Sequence, residues 1–447
     1  MKRYWKSLMG VILAGSVLAG CGSQPGGAEP LTGNIGTAGN GRMQDQPDQQ
    51  GVAGEDMEPM QMQLEAGKEW NREDDSSCEA LKYFSQQLML ENMDSENPLL
   101  SPVSVYLALG MVGMGAEGET LQEFQDMLGI NMPAVSQNLM ERYPQEQEGM
   151  TLTIANSAWV DRQLTPDGQW IADMEGIFKG EGYRGVLSSQ EIMEQINSWC
   201  KENTRGLIPE MLDTPMPDDT RLALLDAIYF KGDWVAAFDA SNTAQRPFIK
   251  EDGTELQADT MSMWGEEQQY LHSELGEGVL LPYQGGDFGY VAILPNEGTK
   301  VRELYRQLTP EAVAELLESR ETETCSLRLP KYEIDFDRKL NDSLQAMGLV
   351  RAFDQNLAEL SGLGQTEMGN PLYISLVRQK AVFRVDEKGT EAAAVTIVEA
   401  RDGCASMSEP RELYFDRPFV YMILDLETQV PLFVGIMDNP ANHILGE

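Results

Sequence analysis

Helical spacing of apolar residues crowds the first third of the globular part of this chain, and strand-like runs fill the last two thirds. "CEALKYFSQQLMLEN" places Leu81, Phe84, Leu88 and Leu90 at helical intervals. "SPVSVYLALGMV" opens on a Ser-Pro helix start at Ser101-Pro102, and "ETLQEFQDMLG" is an amphipathic helix closed by Gly129. "TLTIANSAWV", "ALLDAIYF", "GVLLPY", "YVAILP", "SLRLPKYEIDF", "ISLVRQKAVFRV", "FVYMILDL" and "VPLFVGIM" read as strands. Segregation of this kind excludes a regular βαβ alternation and predicts an α+β fold. The chain has 447 residues, and no repeat or linker interrupts it after residue 76, so one large domain is expected from 76 to 447.

The N-terminus has a different character. MKRYWK is a basic leader, and Leu8 to Gly20 is an apolar stretch too short to span a membrane as a mature helix. It ends in Leu18-Ala19-Gly20-Cys21, which resembles a bacterial lipobox. That resemblance implies a signal peptide at 1–20, a lipid on Cys21, and an extracytoplasmic protein anchored to the cell membrane, facing the exterior or the periplasm. Residues 21–75 are rich in Gly, Gln, Pro, Met and Glu without apolar periodicity, and read as a flexible tether. About 50 such residues have a root-mean-square reach of roughly 40 Å.

The formal net charge of −39 argues against nucleic acid or an anionic lipid surface as partner. The five cysteines (Cys21, Cys78, Cys200, Cys325, Cys404) form no C-x-x-C or zinc pattern, and the last four are expected to be free thiols. The two histidines, His272 and His443, form no metal-spaced pair, so neither metal nor cofactor is expected. Gly113-Met-Gly115-Ala-Glu-Gly118 fits G-x-G-x-x-G but follows a helical stretch, which favours a turn over a nucleotide cradle. The residues flanking Cys404 (Asp402, Gly403, Ala405, Ser406) include no cation or base to activate it as a nucleophile.

What remains is "VDEKGTEAAAVTIVEARDGCASMSEP", residues 385–410. Alternate residues Thr390, Ala392, Ala394, Thr396, Val398 and Ala400 are small or β-branched and uncharged, while Glu391 and Glu399 lie on the other face. As a strand, 390–400 would span roughly 35 Å. Gly389 offers a hinge, the alanines are poor strand formers, and Arg401 to Pro410 reads as an exposed loop. The residues alone favour a plain core or edge strand followed by a loop over a segment that becomes a strand.

From about residue 76 to 440 an ordered set of motifs resembles the serpins. It runs through "NPLLSPVSVYLALGMVGMGAEGETLQEF", "INSWCKENTRGLIPEML", "LLDAIYFKGDWVAAFD", "LPYQGGDFGYVAILPNEG", "LRLPKYEIDFDRKLNDSLQAMGLVRAFD", "DEKGTEAAA" and "YFDRPFVYMILDLETQVPLFVGIMDNP". The resemblance implies a serpin fold: large mixed β-sheets, about nine helices and an exposed reactive-centre loop. It implies a monomer that is an inhibitor rather than an enzyme, with a serine (or cysteine) protease as partner. The protease cleaves the loop, which then enters the central sheet while the enzyme is still acylated. The hinge would be Glu387, Gly389, Thr390, Glu391, Ala392, Ala393 and Ala394. Counted from the hinge, the cleaved bond falls at Gly403–Cys404; counted back from "YFDRPF", it falls at Met407–Ser408, with Arg401 a further candidate. Ser101, Ser104, Asp226, Gln379 and Trp234 would form the region where the sheet opens. The family usually carries Asn at position 226 and His at 379, hydrogen-bonded to each other; here an Asp226–Gln379 bond would replace them. A serpin fold that binds without inhibiting and a thiol hydrolase at Cys404 are the competing readings, and the small, uncharged hinge favours inhibition.

Overall fold

The computed structural model describes residues 29–30, 70–71, 77–143, 145–390 and 410–441. Four helices follow in succession, Glu79–Leu90, Pro102–Gly113, Gly118–Leu128 and Met132–Arg142. In the third, Leu121, Phe124 and Leu128 are buried at helical spacing, and Gly129 ends it at φ +83°. Only glycine suits that end: a Cβ there would sit 2.7 Å from the Ala80 Cβ. Among the described residues there are nine α-helices and two large mixed sheets, which matches the expected α+β class.

The central sheet runs in the order Glu181–Gly185, Met150–Asp161, Leu222–Asp233, Gly389–Thr390, Arg378–Val385, Tyr332–Lys339. Period-two alternation gives its strands two apolar faces. Leu152, Ile154, Ala158, Val160 and Phe230 join the main core with the helix Pro102–Gly113. Trp159 and Ala227 point the other way, onto Ile192, Ile196, Trp199 and Cys200 of the helix Gln190–Asn203. Each fully buried Trp, Phe or Leu contributes about 1.5–3 kcal/mol. The second sheet packs Arg411–Tyr414, Glu321–Pro330, Glu255–His272, Gly276–Pro282, Phe288–Pro295, Phe419–Asp425 and Pro431–Met437 side by side.

The G-x-G-x-x-G run joins helix to helix, and at Gly115 an added Cβ would lie 2.4 Å from the Leu363 side chain, so the glycines serve packing. Among the described residues Cys78, Cys200 and Cys325 are not joined by disulfides. Two points of the 21–75 stretch, read as a tether, touch the domain. Glu29–Pro30 pairs with the edge strand at Arg184 and Tyr183. The Trp70 Nε1 donates to the Gly113 carbonyl at 3.0 Å.

Candidate functional site

The site is built on the end of the strand Arg378–Val385 and the turn that follows it. The Asp386 carboxylate accepts from the Lys388 and Gly389 backbone N–H groups at 2.8 and 3.3 Å, and the Asp386 N–H donates to the Gly389 carbonyl at 3.0 Å. The chain reverses and lays Gly389 and Thr390 beside Asp233 and Gly232. On its other side Thr390 pairs with Val385. Thr390 is 2% exposed, and its hydroxyl lies 2.5 Å from the Tyr283 hydroxyl.

Contacts made by Trp234 and Glu387 fix this turn. Trp234 stacks on Tyr283 with ring centroids 4.7 Å apart. Its Nε1 donates to the Asp386 carbonyl at 3.0 Å and its backbone N–H to the Lys388 carbonyl at 2.7 Å. Glu387 accepts from the Thr243 hydroxyl at 2.7 Å and pairs with the Lys331 ammonium at 2.9 Å. Burial alone would raise the Glu387 carboxyl; Lys331 and Thr243 outweigh it and hold it below the usual glutamate range. The backbones of the two strands touch where both residues are glycine: a Cβ on Gly389 would stand 1.9 Å from the Gly232 carbonyl oxygen. Gly389→Val is therefore expected to release the two-residue strand. Hydrogen exchange at Gly389 and Thr390 should rise by more than tenfold, while the second sheet is unchanged.

Below this mouth the sheet has a gap. Leu222–Asp233 pairs along one edge with Met150–Asp161, from Val160 opposite Leu222 to Met150 opposite Gly232. Arg378–Val385 pairs along one edge with Tyr332–Lys339, from Lys339 opposite Arg378 to Tyr332 opposite Val385. Their other edges face each other, and among the described residues only Gly389–Thr390, at one end, pairs with either. Unpaired strand edges are templates for another strand.

The helix Pro102–Gly113 and its N-cap lie beneath the gap and touch both lips. The Ser104 hydroxyl donates to Asp226 Oδ1 on one lip. On the other, Gln379 Nε2 donates to the Ser101 carbonyl at 2.8 Å and Gln379 Oε1 accepts from the Ser101 N–H at 3.2 Å. The expected Asp226–Gln379 bond is thus absent among the described residues. The Gln379 amide spends its donor and its acceptor on the Ser101 backbone, and Asp226 turns to Ser104 instead.

Asp226 as a residue is only half-buried, because its strand edge borders the gap, but its Oδ2 is shut away from solvent and has no hydrogen-bond partner among the described residues. That oxygen decides the titration. Burial raises the carboxyl from 3.8 to about 8, against a smaller lowering by Ser104. A carboxyl raised on folding contributes stability that is complete below its unfolded value and is lost as pH rises through its folded value. Chemical denaturation should therefore show stability falling between about pH 4 and about pH 8, by at most about 6 kcal/mol. Asp226→Asn should flatten that slope.

A model of the family described as "Serpin (serine protease inhibitor)" matches residues 79–440. The chain belongs to the serpin family. It is 30% identical over 366 residues to an alpha-1-antitrypsin-like protein of Tamias sibiricus, covering 80% of this chain and 86% of the other. It is 30% identical over 374 residues to a serine proteinase inhibitor of Cavia porcellus, covering 81% and 89%. The crystal structure of a thermophilic serpin, Tengpin, in the native state superposes with a TM-score of 0.75 at 29% identity, covering 81% of this chain and 93% of that one. The named relatives are inhibitors rather than enzymes.

In this serpin Glu387, Gly389, Thr390 and Trp234 come together at the mouth of the gap. Ser101, Ser104, Asp226 and Gln379 form a separate cluster, on the order of 25 Å further along the strand from Trp234. The sequence reading had placed Trp234 with the second group. Glu391, Ala392, Ala393 and Ala394, the cleavage candidates Arg401, Gly403, Cys404, Met407 and Ser408, and Cys21 lie outside the described residues. Tyr283, Thr243 and Lys331 were missed. Each is remote in sequence and carries no local pattern that marks it as a partner of the hinge. Among the described residues no group of three or more potential ligands could hold a metal ion.

Proposed function

We propose that this serpin is a suicide-substrate inhibitor of serine-type endopeptidases, held outside the cytoplasm by a lipid on Cys21 and acting as a monomer. The observation that carries the reading is the two-residue strand Gly389–Thr390, set in the mouth of an otherwise unpaired gap. A target protease attacks a peptide bond within 401–408. Its serine oxygen forms an ester with the carbonyl carbon on the N-terminal side, and the amine leaves with the C-terminal fragment.

The cut end is then free to enter the gap. Thr390 stands opposite Gly232 on one lip and Val385 on the other. Extended in that register, residue 392 would meet Phe230 and Phe383, 394 would meet Ile228 and Ala381, and 396 would meet Asp226 and Gln379. Every second residue from Thr390 would face inward, and those are Ala392, Ala394, Thr396, Val398 and Ala400. None is charged or large, so entry meets neither a desolvated charge nor a steric clash. The ester travels with the inserting chain, and the attached protease is displaced before water can release it.

The test is to mix residues 22–447 with elastase, chymotrypsin, subtilisin and trypsin and resolve the products under denaturing conditions. A covalent band at the summed mass supports the reading, and the mass of the released peptide locates the bond. Cleavage within 401–408 by every protease, with no such band at any ratio, would reduce the protein to a substrate with a serpin fold.

A further inference from the structure

One residue that borders the gap has a chemistry the trapping reaction does not call for. Asp226 and Gln379 are the hydrogen-bonding side chains on the two lips that meet the turn Ser101–Ser104 below. The Gln379 side is neutral and doubly bonded. The Asp226 side hangs on one hydroxyl.

We propose that Asp226 is a proton-controlled positioning residue of the central sheet: as a neutral acid it keeps the strand Leu222–Asp233 seated on Ser104, and its ionisation unseats that strand and widens the gap. This rests on the reading that the gap is where the cleaved loop enters.

The surroundings favour the neutral form from every side. The helix below supplies only the Ser101 and Ser104 hydroxyls, and Ser101 Oγ is buried without a partner. The neighbouring strand places Asn156 directly opposite Asp226. Its Nδ2 donates to the Phe178 carbonyl at 2.8 Å and to Met140 Sδ at 3.3 Å, while its Oδ1 is buried and unbonded. Two acceptor oxygens, Asn156 Oδ1 and Asp226 Oδ2, are thus buried on adjacent strands without a donor. A proton on Asp226 Oδ2 supplies one. Across the gap one N–H of the Gln379 amide and its oxygen are engaged by Ser101, and no bond to Asp226 is formed among the described residues.

Among the described residues no cation compensates the ionised form. Lys380, next to Gln379, donates to the Glu210 carbonyl at 2.7 Å and lies 3.5 Å from Asp337 and 3.9 Å from Asp213. On the helix Gln190–Asn203 the titratable neighbour is Cys200. Its thiol is pushed up to about 12, first by burial and then by the Asp226 carboxylate, so it stays neutral. An anion at Asp226 would therefore be buried with one hydroxyl donor. Its nearest route to water is the unpaired edge beside it, and moving that edge away from Ser104 opens the route.

The experiment is hydrogen exchange of the full chain at about pH 6 and about pH 9, corrected for intrinsic exchange. Peptides covering 222–233 and 378–385 are expected to exchange at least tenfold faster at the higher pH, relative to 288–295 and 419–425 of the second sheet. Asp226→Asn should remove the difference. A uniform response of both sheets, or a pH effect that survives Asp226→Asn, would overturn the proposal. Should that variant fail to fold, carboxyl NMR of ¹³C-aspartate-labelled native protein decides: one resonance must titrate between about pH 7 and pH 9, and its absence rejects the idea. Neither readout involves a protease. If no covalent complex forms but the exchange effect is present, the inhibitor reading fails alone.

Discussion

Thr390→Glu is expected to turn this serpin from an inhibitor into a substrate. Thr390 is 2% exposed, faces Tyr283, and lies between Gly232 and Val385 at the point where the loop starts into the sheet. A glutamate there leaves the sheet for solvent in the resting protein, and for the loop to enter it must be buried without a cation or be protonated, either of which costs several kcal/mol. If about 3 kcal/mol of that falls on the barrier to entry, insertion slows by about two orders of magnitude. Deacylation of the bound protease is untouched and wins the competition. The number of serpin molecules consumed per protease inhibited should rise more than tenfold, with cleavage within 401–408 undiminished. Thr390→Ser keeps a hydroxyl for Tyr283 and should behave like the parent. Stoichiometric titration with scoring of cleaved and complexed bands measures both. An unchanged stoichiometry for Thr390→Glu would mean that burial of residue 390 does not limit loop insertion.

Cleavage itself should make the protein much harder to unfold. Two strand edges face each other across the gap, each paired on its far side and, among the described residues, joined only by Gly389–Thr390. A new strand of about ten residues would satisfy on the order of ten backbone groups, each hydrogen bond contributing about 1 kcal/mol, before any burial of its inward side chains. For a domain this large, 1 kcal/mol moves the melting midpoint by about 2 °C. The cleaved chain is therefore expected to melt at least about 20 °C above the intact one. Thermal scans before and after limited proteolysis within 401–408 give the comparison. Equal midpoints would mean that the gap stays empty, which removes the driving force for trapping a protease.

Much of this was legible in the chain before any coordinates. The segregation of helical spacing from strand alternation set the α+β class, because local periodicity records which face of an element is buried. Gly389 was legible because its demand is local: it packs against a backbone that leaves no room for a Cβ. The strand Glu255–His272 was not legible. Its sequence, ELQADTMSMWGEEQQYLH, is mostly polar, and its conformation is set by ladders to Ala244–Ile249, Gly276–Pro282 and Glu321–Pro330 on its two sides. Backbone pairing of that kind leaves little trace in side-chain pattern.

The cluster under the sheet divides in the same way. The resemblance to serpins named Ser101, Ser104, Asp226, Gln379 and Trp234 as a group, and the expected Asp226–Gln379 bond is not the one formed. Residue types say what can donate and accept, and an aspartate facing a glutamine satisfies that rule. Which donor meets which acceptor depends on where the turn Ser101–Ser104 sits beneath the two strands, and that is a matter of tertiary packing. The packing gives Gln379 to the Ser101 backbone and leaves Asp226 one serine hydroxyl and a buried, unbonded oxygen.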